Sequence, residues 1–343
     1  MRFGRGPLNE TSVERVPPGY MRVGAIDIGS NSIRLLVADV PGPGTRGELV
    51  TVTRAGESCR LGRGLDRTGR VDGAMVERAA ALATEFARRA RVLGAVHIVV
   101  GATAALRRAA NGADVAASLG ERVGLRVRIL SGDDEARLAY EAVVQGLRSL
   151  VRRSACIVFD LGGGSTEVVS GLGPAAGRWA SLPFGAVSLT ERFIRSNPVT
   201  DSEIAALEEE VGRVLMHDCA SMPEAAPVFA GVGGSVTVMA SLDRGLTVYE
   251  PSLIEGWTIK HDRLEELSGR VVASTEEERG TWAVLGRGRS DIIVAGVLVI
   301  RQLARRFRSG GLVCSTQGLR YGLARLAAAE AAEPRGEMEA DPE

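Results

Sequence analysis

Lysine is almost missing from this chain. Lys260 is the only one among 343 residues, so no G-x-x-x-x-G-K-[ST] phosphate loop can be built and nearly all positive charge is arginine. Histidine is scarce as well: His97, His217 and His261 stand apart, none beside a glycine loop, which gives phosphohistidine or di-metal histidine chemistry little support. The cysteines, Cys59, Cys156, Cys219 and Cys314, form no C-x-x-C pair, so neither a zinc site nor a redox motif is indicated. Net charge is lacking too. The 42 acidic residues balance 42 basic ones and leave no overall field for nucleic acid or an anionic membrane, so an anionic ligand must be caught locally. No run approaches the roughly 20 apolar residues that span a bilayer, and residues 1–20 lack the apolar core of a signal peptide. A cytoplasmic protein without nucleic-acid or membrane partners is expected.

What is present is enough apolar residue, 45% of the chain, to fill two ordinary domains. Residues 1–20, with Pro17 and Pro18 and no periodicity, read as a disordered extension, or as upstream translation with Met21 the natural start. At the other end AAAEAAEPRGEMEADPE reads as an acidic frayed tail, assigned to 331–343. Between them, strands near 22–28, 34–40 and 48–54, a helix near 73–93 and a strand at 97–100 make an α/β pattern. On that helix Val76, Ala79, Ala83, Phe86, Ala90 and Leu93 form one apolar stripe, a structural face. A helix from about Asp133 to Leu150 precedes a second α/β series, so the domains are set at 21–134 and 135–330, with the last helix free to pack back on the first.

Internal repetition is the most informative feature. AIDIGSNSIRLLV at 25–37 and VFDLGGGSTEVVS at 158–170 share one design, with Asp27 matching Asp160, Gly29 matching Gly162 and Ser32 matching Ser165. Each is a strand, a glycine and hydroxyl turn, and a return strand. Glycine lets backbone approach closely and aim N–H groups at phosphate oxygens, and Ser or Asn side chains add donors. An Asp just before such a cradle would repel phosphate unless Mg2+ or water stood between them. The bland reading, a hairpin whose Asp caps its own turn, competes for either motif alone and much less for the pair.

The paired loops are similar to the phosphate motifs of the actin-like (sugar kinase, Hsp70, actin) superfold. GATAALRRAANG at 101–112, LSGDDEARLAY at 130–140, SLPFGAVSLTERF at 181–193 and AGVGGSVTVMASL at 230–242 narrow the resemblance to the exopolyphosphatase and guanosine pentaphosphate phosphatase (Ppx/GppA) family, over roughly residues 22–325. It implies two actin-like (ribonuclease H-like) α/β domains around a cleft and metal-assisted attack of water on a phosphoanhydride. Carried onto this chain, it makes Glu135 the catalytic carboxylate, Asp160 and Glu167 the acidic pair near metal and water, and Arg107 a phosphate ligand. Asp27 joins Asp160 as a metal candidate, with Mg2+ or Mn2+ as the cofactor. Gly29, Ser30, Asn31 and Ser32, with Gly162, Gly163, Gly164, Ser165 and Thr166, form the phosphate cradles. Gly233, Gly234 and Ser235 join them as phosphate-binding candidates, the two glycines standing where nucleotide-using relatives hold adenosine.

Alternatives stand beside several of these readings. The run Ser-Gly-Asp-Asp-Glu also suits a helix N-terminus, with Asp133 or Asp134 as cap and charge on the dipole. Arg107 could be a solvated helix arginine, and Gly233–Gly234 a close helix-on-strand contact. CSTQGLR at 314–320 fits the C-x-x-x-x-x-R spacing of cysteine phosphatases, but lacks their flanking histidine and hydroxyl. The leading function is an exopolyphosphatase; a pppGpp 5'-phosphohydrolase and a non-catalytic nucleotide or polyphosphate sensor are the alternatives. A homodimer is expected. Longer family members carry a further C-terminal domain, whereas here CSTQGLRYGL precedes only a short helix and an acidic tail, so short substrates are expected.

Overall fold

The computed structural model describes residues 15–286 and 288–333. The first half holds β1 (Tyr20–Ile28), β2 (Ser32–Pro41), β3 (Val50–Ser58), β4 (His97–Ala102) and β5 (Val127–Ile129). They form one sheet in the order β3-β2-β1-β4-β5, with the first three strands antiparallel and β4 and β5 parallel to β1. The second half repeats the plan with β6 (Ala155–Leu161), β7 (Thr166–Leu172), β8 (Ala175–Leu182), β9 (Val228–Gly233), β10 (Thr258–Lys260) and β11 (Gly311–Cys314). Its order is β8-β7-β6-β9-β11, extended by β10 at the β11 edge. This duplicated order, each sheet flanked by helices, is the actin-like fold, and the two sequence repeats are its two β-hairpin heads.

Both faces of each sheet are covered, which is why β1 and β6 read as nearly continuous apolar runs. On the first sheet Ile26, Ile28, Leu35 and Val37 pack toward Phe86 and the other buried residues of the Gly73–Val92 helix, while Val23, Ala25 and Leu36 face the Leu319–Ala332 helix. On the second, Ile157, Phe159 and Val168 enter the largest core, and Val158 and Val169 face the Gly132–Gly146 helix. The two helices on the inner faces meet closely, since a Cβ on Gly322 would lie 2.5 Å from the Leu138 carbonyl oxygen. They form the layer between the sheets.

Several boundaries differ from expectation. The unbroken Gly132–Gly146 helix crosses the assigned division at 134/135, and a separate short turn, Arg148–Val151, takes the place of its last residues. The N-terminal extension ends before residue 20, because Tyr20 pairs with Pro41 and its N–H closes a turn on the Pro17 oxygen at 3.0 Å. The stretch beginning AAAEAA is helical to Ala332, since Ala327 and Ala328 are buried on the first sheet and Glu330 pairs with Arg128 and His97. Residues 1–14 and 334–343, the rest of the expected extension and tail, lie outside the described residues. No helix among the described residues is long and apolar enough to cross a membrane.

Candidate active site

The two hairpin turns are built alike. Gly29 N–H donates to the Ser32 oxygen at 3.0 Å, and Gly162 N–H donates to the Ser165 oxygen at 3.1 Å. The turns face each other across the cleft and nearly touch: a Cβ on Gly164 would lie 2.7 Å from Ser30 Oγ, and one on Gly163 3.3 Å from the Asn31 nitrogen. Glycine there is a requirement of space. Gly185 backs the second turn, its own Cβ position 2.5 Å from the Gly163 carbonyl carbon.

Between the turns lies a narrow cavity of about 80 Å³. Asp27, Glu135, Asp160 and Glu167 line it, together with Gly29, Ser30, Asn31, Ser32, Gly162, Gly163, Gly164, Ser165, Gly234 and Ser235. The acidic run at the helix start is resolved by burial. Ser131 caps the helix, accepting from Asp134 N–H at 3.1 Å, so the cap is the serine and not Asp133 or Asp134. Asp133 is exposed and Asp134 half-exposed, whereas Glu135 is 5% exposed and points inward.

Three buried carboxylates and the partly buried Asp160 in one cavity cannot all ionise freely. Burial first, then Glu167, pushes Glu135 up to about 9, with Arg107 pulling against them. Burial and then Asp160 raise Glu167 to about 7, although Ser165 and Ser181 donate to it, the latter at 2.9 Å. Burial raises Asp160 to about 6, opposed chiefly by Arg34 and partly by the Leu319 N–H. Asp27 is raised by burial as well. A divalent cation would relieve this crowding. Among the described residues no three carboxylate, histidine or cysteine groups converge on one ion. Mg2+ commonly takes one or two carboxylates and fills its shell with water and phosphate oxygens. Asp160 and Asp27 fit as such a partial set.

Two expected phosphate ligands are not among the residues lining this cavity. Arg107 does not line the cavity: its guanidinium pairs with Glu135 and donates to the Leu130 oxygen at 3.0 Å, as the nearby cation that a buried carboxylate attracts. Thr166 is fully buried and donates to the Phe184 oxygen at 2.8 Å, because strand alternation turns it away from the turn. Gly233 serves packing, with φ 122° and a Cβ position 2.4 Å from the Leu161 oxygen, whereas Gly234 lies under the Arg289 guanidinium. Cys314 is buried and its thiol is pushed up by that burial, which leaves no thiolate for attack on phosphorus.

Sequence reasoning missed a second, wider cavity of about 520 Å³. It shares Asn31, Ser32, Arg34, Asp160, Gly234, Arg289 and Leu319 with the narrow one and adds Arg54, Tyr249, Thr316 and Arg320. Burial and then the neighbouring Arg34 charge lower Arg289 to about 10, and Arg320 is lowered mainly by burial, with Arg34 and Arg54 adding repulsion. A polyanion would relieve arginines crowded until they disfavour one another. Arg34 had a signal in the repeat. It occupies the Glu167 position, and the register pairs Asp27 with Arg34 as it pairs Asp160 with Glu167. One half thus puts a cation on its return strand where the other puts an anion.

Duplicated sheets, each headed by a glycine turn at the cleft, give the molecule an actin-like fold, and its relatives make it a phosphoanhydride hydrolase of that fold. More particularly, the chain belongs to the Ppx/GppA phosphatase family, whose model matches residues 42–327. It is 34% identical over 293 residues to exopolyphosphatase 2 of Mycobacterium tuberculosis (strain CDC 1551 / Oshkosh), covering 84% of this chain and 91% of that protein. It is 29% identical to exopolyphosphatase 1 of Mycobacterium bovis, over 88% of this chain and 87% of that one. The crystal structure of the Aquifex aeolicus Ppx/GppA family member superposes with a TM-score of 0.77 at 28% identity, covering 92% of this chain and all of that one.

Proposed function

We propose that this protein is an exopolyphosphatase that removes terminal orthophosphate from short inorganic polyphosphates. The observation that carries the reading is the junction of the narrow carboxylate cavity with the wider arginine-lined one. The terminal phosphoryl suits the space between the two glycine turns, and the rest of the chain suits Arg34, Arg54, Arg289 and Arg320. Attack of water forms one P–O bond and breaks the bridging P–O bond, releasing orthophosphate and a chain one unit shorter. Glu135 takes the water's proton in its ionised form, held in place by Arg107. Glu167, fixed by Ser181, orients the water from the opposite hairpin. Mg2+ or Mn2+ held by Asp160 and Asp27 would supply charge neutralisation at the phosphate oxygens.

The two Mycobacterium relatives named above are called exopolyphosphatases, which favours polyphosphate over pppGpp. Phosphate release from polyphosphates of defined length, pppGpp and ATP, with and without metal, tests the reading. Metal-dependent release from polyphosphate is expected to exceed the others; equal or greater release from pppGpp would overturn the substrate assignment.

A further inference from the structure

The chain leaves β11 at Cys314 and enters the last helix at Leu319, so residues 315–318 decide how that helix meets the cleft. The helix body packs on β1, β2 and β4 of the first half, whereas its head lies against Asp160 of the second. A Cβ on Gly318 would lie 2.9 Å from Val232 and 3.3 Å from Asp160 Oδ2, and Leu319 N–H donates to that carboxylate. Arg320 follows at once and lines the wide cavity. Small shifts of this loop therefore move two groups that face substrate.

One carboxylate gathers the donors of the loop. Glu255 Oε1 accepts from Ser315 Oγ at 2.9 Å, and Oε2 accepts from Thr316 N–H at 2.6 Å and Thr316 Oγ1 at 2.5 Å. Ser315 Oγ in turn accepts from Gln317 N–H at 3.1 Å. No arginine, lysine or histidine forms an ion pair with Glu255 among the described residues. Its charge is spent on the loop alone. Gly256 and Trp257 zip onto Cys314 by hydrogen bonds of 2.9 and 2.8 Å, so the anchor cannot drift from β11. The residues just before it, Tyr249 and Pro251, line the same wide cavity.

We infer that Glu255 is a positioning residue for phosphate-chain binding, tying the head of the last helix to the second half so that Arg320 and Thr316 face the substrate. The inference rests on the polyphosphatase reading above. Gln at this position keeps the shape but turns an N–H toward donors, so the loop loses charge-assisted hydrogen bonds. Calorimetric binding of a medium-length polyphosphate should weaken about tenfold in Glu255→Gln, the size of one such bond. KM should rise more than kcat falls. On an Arg320→Gln background the same substitution should cost clearly less than in wild type, because one of the two groups it positions is gone. Unchanged binding, or fully additive losses in the double variant, would overturn the inference. If Glu255→Gln does not fold, Glu255→Asp, which keeps the charge but shortens the arm, is carried through the same cycle with the same outcomes. Wild-type protein that binds polyphosphate without releasing phosphate would refute the polyphosphatase reading while leaving the binding cycle readable.

Discussion

At the scale of single residues, the proposed base is the carboxylate immediately before Ala136. Glu135→Gln removes a base with little change of bulk, so turnover should fall by about 10² to 10⁴ while polyphosphate still binds. Asp134→Asn, at a half-exposed position, should stay close to wild type; the reverse pattern would show that the base is misassigned. Stability should move the other way. A carboxylate whose folded-state pKa lies above its ordinary value favours the fold at low pH, and that contribution is lost as pH rises through the folded value. For Glu135 in metal-free protein the window runs from 4.5 to about 9. Glu135→Gln should therefore melt higher than wild type at pH 8 and equal to it near pH 4, which thermal denaturation in chelator checks.

As the proposed base, the same residue should set the pH profile. Burial and Glu167 hold Glu135 protonated and Arg107 opposes them, so the rising limb of kcat/KM should lie above the usual carboxylate range. Arg107→Gln removes the opposing cation and should carry the limb to still higher pH. A limb that stays in place would detach Arg107 from Glu135. Arg107 also shows where residue-level reading falls short, because its motif pointed to a functional site while its partner, 28 residues away, is set by tertiary packing.

At the scale of elements, most of the site was legible because the chain contains it twice. Two hairpins with Asp before the turn and Ser after it gave the cradles and Asp160, and Glu135 followed from the resemblance. Arg34 could have been read two residues beyond the matched serines. Thr166 was over-read: it follows the turn in sequence, but the pleat turns it inward. Arg289 and Arg320 carried no such signal, since arginine is common throughout and their convergence requires segments from both ends of the chain to fold together. Gly185 gives this scale its prediction. Its backbone is extended, so an alanine there meets no dihedral strain, only the Gly162–Gly163 backbone at 2.5 to 2.7 Å. Gly185→Ala must push the second turn toward Ser30, and kcat/KM should fall roughly 10²-fold, the usual penalty for displacing a reacting group by about 1 Å. Activity within about threefold of wild type, judged against ordinary mutational scatter, would mean that the turn has slack that its contacts do not show.

At the scale of the whole molecule, the halves are joined by Arg60–Asp291 at 3.0 Å and by Gly64 N–H to Glu191 at 3.0 Å. The wide cavity places four arginines within about 520 Å³, enough to neutralise a short run of phosphates beyond the one being cleaved. Each phosphate engaged by an arginine strengthens binding and releases counterions, so affinity should climb with length until those arginines are used. Beyond that point the chain as a whole offers no net positive charge, and each added unit should contribute little. We therefore expect kcat/KM to rise from tripolyphosphate and then level off, with the salt dependence of KM levelling at the same length. Arg320→Gln should lower the plateau and move it to shorter chains. Continued growth of kcat/KM into long polymers, with no intermediate products accumulating, would require a basic track beyond this cavity and would refute the length limit.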